Sequence, residues 1–168
     1  MLPALLLAVV FIPMLAEARI AARHDRALRA IGAAEPPDDV YGWMQVAYPA
    51  CFLAMIAEAW WRGADLDRAF GLGAAVFLLA KGLKYWAIWA LGVRWTFRVL
   101  VPPGSARTTR GPYRFLTHPN YAAVMAELVA TALMAHAPVA GVAAVAGFGL
   151  LIAARIRVEE RALGTLEP

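Results

Sequence analysis

Residues 120–154 form the longest nearly uncharged segment of the chain, NYAAVMAELVATALMAHAPVAGVAAVAGFGLLIAA, in which Glu127 is the one charged residue. As a single helix this segment would reach ~52 Å at ~1.5 Å per residue, well beyond the ~30 Å hydrocarbon core of a bilayer. The sequence AHAP at residues 135–138 interrupts it, because Pro138 removes a helical hydrogen-bond donor and clashes with the preceding turn. The segment therefore predicts a hairpin of two short helices, over about residues 120–135 and 138–154.

The whole chain has the composition of an integral membrane protein. Of its 168 residues 62% are hydrophobic and 17% are charged, whereas ordinary globular domains are roughly 45–50% apolar and about 25% charged. Further apolar runs cover residues 1–16, 40–57 and 69–93, and the first lacks the preceding basic residue that a cleaved signal peptide carries. We therefore predict an all-α fold: one polytopic membrane helix bundle over residues 1–168, with about five transmembrane helices.

Basic residues predict how the bundle is oriented. Most of the 16 lysines and arginines follow the first helix, follow the third helix or lie in the C-terminal tail, whereas Arg62 and Arg68 lie on the opposite side. The larger group consists of Arg19, Arg23, Arg26, Arg29, Arg94, Arg98, Arg107, Arg110, Arg114, Arg155, Arg157 and Arg161. By the positive-inside rule this distribution predicts an outside N-terminus and a cytoplasmic C-terminus, with both long loops cytoplasmic. The arginines do not form a stripe, so the net charge of +4 does not indicate nucleic-acid binding.

Two connections are expected on the cytoplasmic side. The segment after the first helix is predicted to be a loop, with His24 and Asp25 on its surface. Residues 92–117 form the longest connection, and Pro102-Pro103-Gly104 predicts a turn near its middle.

Polar residues gather where the predicted hairpin returns to that side. Residues 111–121 (GPYRFLTHPNY) place His118 at the expected helix entrance, because the proline after it suits a first helical turn. Residues 155–161 (RIRVEER) follow the second helix of the hairpin. A tight hairpin brings Glu159 and Glu160 beside His118, although residues 155–161 alone are also typical of a solvated amphipathic helix.

Three charged residues lie within the apolar segments. A carboxylate such as Glu127, about two turns into a membrane helix, costs ~2.5–3.5 kcal/mol on insertion scales and marks a function or a partner. The alternative is that Glu127 pairs with Lys84 or Arg114 and only locks the bundle. Lys81 and Lys84 are expected to extend toward the cytoplasmic interface.

Several common functional motifs are absent from the sequence. It contains no G-x-G-x-x-G or P-loop, which excludes a Rossmann or Walker cofactor loop. It also contains no G-x-S-x-G, no H-E-x-x-H and no Cys/His cluster, so neither a hydrolase elbow nor a metal site is predicted.

The combined pattern resembles the isoprenylcysteine carboxyl methyltransferase family. Residues 111–121 and Glu127, with Arg155-x-Arg157-x-Glu159-Glu160-x-x-Leu163, carry the likeness, which extends upstream through residues 33–35 (AAE) and 91–98 (LGVRWTFR). The chain looks most similar to the small bacterial branch that methylates hydroxyls of alkylpyrone and phenolic lipids. The resemblance implies an integral transferase of the bacterial inner membrane that uses S-adenosylmethionine. It also implies a cofactor-binding part at about residues 92–168 and a lipophilic acceptor taken from membrane lipid.

The resemblance also implies roles for individual residues. His118, Tyr121 and the backbone around Thr117 would form part of the cofactor wall, and Glu159 and Glu160 would meet polar groups of the cofactor.

The resemblance further implies a cofactor contact at Arg155 and a role for Glu127. The chemistry of methyl transfer adds His118 and Arg114, so the catalytic candidates are His118, Arg114 and Glu127. His118 would accept the proton of a phenolic acceptor, and Arg114 or Arg155 would stabilise its anion. Thr117 stands where family members commonly carry arginine, which favours hydroxyl over carboxyl methylation.

Two alternative functions remain open from the sequence. One is an NADPH-dependent membrane reductase of the steroid-reductase type, which shares the polytopic layout and a C-terminal nucleotide pocket. The other is a non-catalytic membrane subunit or small transporter, in which Lys81, Lys84 and Glu127 would line a path or pair with a partner.

Overall fold

A computed structural model describes residues 1–104 and 108–164, which contain five α-helices and two short 3-10 helices, Gly92–Arg94 and Gly111–Arg114. The α-helices are α1 (Leu2–Ala30), α2 (Tyr41–Arg62), α3 (Arg68–Leu91), α4 (Pro119–Met134) and α5 (Pro138–Gly164). The prediction of an all-α helix bundle is confirmed. Arg107 and the side chain of Leu163, which entered the sequence argument, lie outside the described residues.

The first and last helices are longer than predicted. The loop expected after residue 16 is wrong, because α1 continues to Ala30 and carries the four arginines on its helical surface. Residues 17–30 are rich in alanine and arginine and contain neither glycine nor proline, so nothing stops the helix where the apolar run ends. His24 and Asp25 are therefore half-buried helical residues. Similarly, α5 continues about three turns past residue 154.

Three helices, α1, α3 and α5, are long and apolar enough to cross a membrane by length and composition, among the residues described. Helix α4 has 16 residues and at ~1.5 Å per residue measures ~24 Å. This is short of a full hydrocarbon core. The molecule is a helical membrane bundle, and the number of five crossings stays a prediction.

Small residues let the helices of the C-terminal half approach closely. A Cβ at Gly73 of α3 would lie 2.7 Å from the carbonyl oxygen of Ala130 in α4, and a Cβ at Gly141 of α5 would lie 2.5 Å from the Cβ of Ala132. The predicted hairpin is present, since α4 ends at Met134 and α5 begins at Pro138. Close backbone approach at small residues is a usual way for membrane helices to associate.

The two long connections meet at one end of the bundle, called here the loop end. Ala34 in the α1–α2 connection and Val101 in the α3–α4 connection form an antiparallel bridge with N–O distances of 3.0 and 2.9 Å. The predicted turn is present at Pro103–Gly104. At the opposite end, Glu58 of α2 accepts a hydrogen bond at 2.7 Å from the Ala140 amide in the first turn of α5.

Candidate functional site

A cavity of about 300 Å³ lies at the loop end of the bundle. Its walls are the end of α3, residues 94–102, the start of α4 and the C-terminal part of α5. The lining combines apolar with polar and charged side chains. The apolar ones include Leu91, Trp95, Val99 and Leu100, and the polar or charged ones include Arg94, Arg98, Thr117, His118, Tyr121, Arg155 and Glu159.

His118 stands at the N-cap position of α4, immediately before Pro119. Its ring stacks on Tyr121, with the ring centroids 5.4 Å apart and the planes at 26°. The Nδ1 atom lies 3.9 Å from Oε2 of Glu159, and Nε2 lies 3.5 Å from Oε1 of Glu160. The imidazole therefore lies close to both Glu159 and Glu160, as the sequence predicts. The roles assigned to these residues stay predictions. Nε2 is buried, and it has no hydrogen-bond partner within residues 1–104 and 108–164.

A hydrogen-bonded chain connects α4 and α5 inside the cavity wall. The Tyr121 hydroxyl donates to Oε2 of Glu159 at 2.7 Å and accepts from Nε of Arg155 at 3.3 Å. Arg155 also donates from Nη2 to the carbonyl oxygen of Phe97 at 2.6 Å and from Nη1 to Asp39. The guanidinium is 4% exposed, so a buried cation holds three segments of the chain together.

The connections that form the outer wall are fixed by their own ion pairs. Glu35 accepts hydrogen bonds from Arg98 at 2.6 Å and from Arg29. Desolvation raises the pKa of Glu35, but the hydrogen bonds from the two arginines outweigh it and hold that pKa below its usual value. The buried Trp95 donates from Nε1 to Asn120 at 3.3 Å, and its carbonyl oxygen lies 2.8 Å from Nδ1 of His24.

Tyr113 is a further polar group of the cavity. Burial raises the pKa of its phenol, and the nearby Glu159 carboxylate raises it further. The hydroxyl is therefore protonated at neutral pH and can serve as a hydrogen-bond donor to a bound molecule.

Sequence reasoning missed the contributions of Asp39, His24 and Trp95 to this site. Asp39 is separated from Arg155 by 116 positions, and a polar residue just before a helix is usually read as a cap or surface group. The pairing that defines its role is visible only after folding.

Other predicted residues lie apart from the cavity or at its margin. Arg114 is exposed, beside the ring of Phe115 at 5.9 Å, and does not line the cavity. Glu160 is about half exposed. Thr117 lines the cavity and is exposed at its edge.

Glu127 lies in a separate buried ion cluster within the bundle. Lys84 is 2.8 Å and Lys81 3.2 Å from its carboxylate, and the same two ammonium groups lie 3.2 and 2.7 Å from Glu17 of α1. Tyr48 of α2 donates to Glu127 at 2.6 Å. The expectation that the lysines extend to the interface is wrong, because both find carboxylate partners inside the bundle. The sequence left Lys84 and Arg114 as alternative partners of Glu127, and in the structure Glu127 pairs with Lys84.

Known proteins resemble this chain both over the part that carries the cavity and over nearly its whole length. A family model described as the isoprenylcysteine carboxyl methyltransferase (ICMT) family matches residues 72–165. The uncharacterized protein YpbQ of Bacillus subtilis (strain 168) is 31% identical over 168 residues, covering 95% of this chain and 95% of the relative. An uncharacterized protein of Haemophilus influenzae is 26% identical over 150 residues, covering 89% and 87%. No solved structure matches the chain.

Proposed function

The chain belongs to the isoprenylcysteine carboxyl methyltransferase family, and on that premise we propose that it transfers a methyl group from S-adenosylmethionine to a hydroxyl of a lipophilic acceptor. The observation that carries the proposal is the overlap between the family match and the cavity. Every residue that lines the cavity falls within the matched residues 72–165. Membership implies a membrane methyltransferase, and the choice of acceptor is the further step.

The cavity walls suit S-adenosylmethionine. The Glu159 carboxylate can pair with the ammonium group of the donor. The buried Nε2 of His118 makes no hydrogen bond to the described residues, since Oε1 of Glu160 lies 3.5 Å away, and it is a group that a bound molecule would satisfy. Trp95 and Leu91 supply apolar surface of the kind that an adenine ring contacts. Together these features support a donor site built without a Rossmann fold.

The side chains of the site then have separate tasks. Bound S-adenosylmethionine supplies an electrophilic methyl carbon, so that the acceptor oxygen forms a C–O bond while the electron pair of the broken C–S bond returns to sulfur. The acceptor must also lose its hydroxyl proton, and we assign this proton to His118, directly or through a water molecule. The apolar side chains of the cavity lining exclude water and help to align the reacting groups. Arg114 and Glu127 do not line the cavity, so we assign them no direct part.

Charge at the site favours a hydroxyl acceptor over a carboxylate. Thr117 is neutral where family members commonly carry arginine. Of the three arginines that line the cavity, Arg98 and Arg155 have carboxylate partners in the protein, and Arg94 donates a hydrogen bond to Thr108. An incoming carboxylate would therefore compete with contacts that these guanidinium groups already make, whereas a neutral hydroxyl would not.

The edge of the site fits an acceptor that arrives from lipid. Phe115 is 74% and Leu116 44% exposed, directly before Thr117 at the cavity margin. Exposed apolar side chains next to a binding site mark a membrane or ligand contact. With the basic residues concentrated at the loop end, we propose that this end faces the cytoplasm from the inner membrane of a bacterium. An alkylpyrone or phenolic lipid has the required chemistry.

Titration of the purified, detergent-solubilised protein tests the donor site. We expect saturable calorimetric binding of S-adenosylmethionine, weakened about tenfold or more by Glu159→Ala or His118→Ala, since each removes a polar contact worth ~1.5–3 kcal/mol when charged. His136→Ala, at the opposite end of the bundle, is the control and should bind as the wild type does. Unchanged affinity in both site variants would remove the proposed site.

Two further measurements separate the alternatives. Binding of NADPH in place of S-adenosylmethionine would favour a membrane reductase. Radiolabelled methyl transfer into a host lipid extract, followed by mass spectrometry, identifies the acceptor and the methylated atom. Absence of both binding and transfer would favour a non-catalytic subunit or transporter.

A further inference from the structure

We propose that Asp39 is a positioning residue of the donor site, which holds the Arg155 guanidinium away from Glu159 and so keeps the Glu159 carboxylate available for the ammonium group of S-adenosylmethionine. The inference rests on the proposed function and adds to it a residue from outside the family match, which begins at residue 72.

The problem that Asp39 solves arises from the sequence of α5. Arg155 and Glu159 are four residues apart on this helix, a spacing at which a guanidinium and a carboxylate ordinarily pair directly. A direct pair would neutralise the carboxylate that the donor needs. In the structure the Tyr121 hydroxyl stands between the two groups, accepting from Arg155 at 3.3 Å and donating to Glu159 at 2.7 Å.

Asp39 is placed to bind the guanidinium from the other side. Its Oδ1 atom receives Nη1 of Arg155 and also accepts the Tyr41 amide at 3.1 Å, and its Oδ2 atom accepts the Val99 amide at 3.0 Å. The Asp39 and Arg155 side chains are each 5% exposed. Two backbone donors thus fix the carboxylate in place, so that the guanidinium has a buried counter-charge at a defined position.

The charges in this part of the site divide into two sets. Asp39 compensates the charge of Arg155, and the Phe97 carbonyl oxygen accepts a hydrogen bond from Nη2 of Arg155 at 2.6 Å. Among the residues that the structure describes, Glu159 accepts a hydrogen bond only from the neutral Tyr121 hydroxyl, and its Oε2 atom lies 3.9 Å from Nδ1 of His118. The carboxylate therefore keeps the capacity to bind a cation in the cavity that it lines.

Loss of the Asp39 charge would reverse this division. A buried guanidinium without a counter-charge is strongly unfavourable, and Glu159 is one helical turn away on the same helix. We expect Arg155 to turn toward Glu159, which would then be neutralised by the protein rather than by the donor. Only ligands that carry the ammonium group should therefore lose affinity.

Comparison of two ligands tests this expectation in Asp39→Asn. S-adenosylmethionine carries the ammonium group, and 5′-methylthioadenosine has the same adenosyl and S-methyl groups, with a neutral thioether in place of the sulfonium and without the amino-acid arm. We expect Asp39→Asn to weaken S-adenosylmethionine binding by about tenfold or more, as for loss of one charge-assisted contact, and to leave 5′-methylthioadenosine binding nearly unchanged. An equal loss for both ligands would mean a general structural role and would overturn the proposal.

Two more variants complete the experiment. Asp38→Asn is the matched control, because the neighbouring Asp38 forms an exposed ion pair with Arg161. In this variant the ratio of the affinity for S-adenosylmethionine to the affinity for 5′-methylthioadenosine should stay at the wild-type value. Asp39→Asn combined with Arg155→Gln removes both buried charges, and we expect that ratio to return toward wild type. If Asp39→Asn alone does not fold, the double variant decides, since a lowered ratio in it contradicts the proposal. A wild-type protein that binds neither ligand would refute the proposed function itself, whereas an unaffected Asp39→Asn variant would refute only this inference.

Discussion

Glu127 illustrates at the residue scale how a costly membrane carboxylate is accommodated. It is 2% exposed and shares two lysines with Glu17, so that the buried ion cluster has two positive and two negative groups. Such a cluster satisfies its own charges, and it joins α1 to α3 and α4 through side chains rather than through apolar packing. Polar contacts of this kind contribute to helix association in lipid.

Removal of one member should therefore destabilise the bundle. For Glu127→Gln we expect a loss of about 3–5 kcal/mol in the free energy of unfolding, because Lys84 is left without its full counter-charge. Lys84→Met combined with Glu127→Leu should cost less than the sum of the single changes. Unfolding in detergent, followed by circular dichroism, measures both.

An exposed ion pair supplies the control for these Lys84 and Glu127 variants. Asp38→Asn breaks the exposed pair with Arg161 and should change stability by only ~0–1 kcal/mol. Strictly additive effects of Lys84→Met and Glu127→Leu would contradict a paired structural role and would return Glu127 to the list of catalytic candidates.

At the scale of elements, the contact between α3 and α4 depends on the absence of a side chain at Gly73. A Cβ there would lie 2.7 Å from the Ala130 carbonyl oxygen and 2.9 Å from the Met134 amide nitrogen, both backbone atoms that cannot move independently. Helix α4 also begins at Pro119, and His118 stands just before it. The separation of α3 and α4 therefore bears on the position of the imidazole.

Two glycines of the same helix should respond with opposite sign to alanine. We expect Gly73→Ala to lower stability by about 1–3 kcal/mol through overpacking. Gly82→Ala, where a Cβ meets nothing within 4 Å, should raise stability by ~0.5–1 kcal/mol through helix propensity. Thermal unfolding of the two variants measures the difference, and equal stabilisation by both would show that α3 and α4 are not in close contact at Gly73.

At the scale of the whole molecule, the two ends of the bundle differ in chemistry. The loop end carries the cavity, the long connections and most of the arginines, whereas the opposite end has the short connections at residues 63–67 and 135–137. The positive-inside rule then predicts that the loop end is cytoplasmic.

Cysteine labelling determines this orientation directly. In a Cys51→Ser background, which removes the chain's single cysteine, a membrane-impermeant maleimide should label Leu66→Cys in intact spheroplasts. Ala22→Cys, exposed on α1 toward the loop end, should react only after permeabilisation. The reversed pattern would place the cavity outside the cytoplasm, away from the cellular supply of S-adenosylmethionine. Cys51→Ser alone is the blank.

Local chemistry in the sequence was sufficient for the class of fold, for the C-terminal hairpin and for the approach of His118 to the paired acids. Apolar length and the break at Pro138 act on neighbouring residues, so they can be read without coordinates. Helix ends were less accessible, because α1 continues past its apolar run on helix propensity alone.

Partner choice required the folded chain. Lys84 reaches either water or a carboxylate according to which helices stand beside it, and the structure places Glu17 and Glu127 there. Asp39 reads as a surface residue until the chain brings it to Arg155, 116 positions away. A buried charge is stabilised by whatever opposite charge packing brings within a few ångströms, and that neighbour is a property of the tertiary structure.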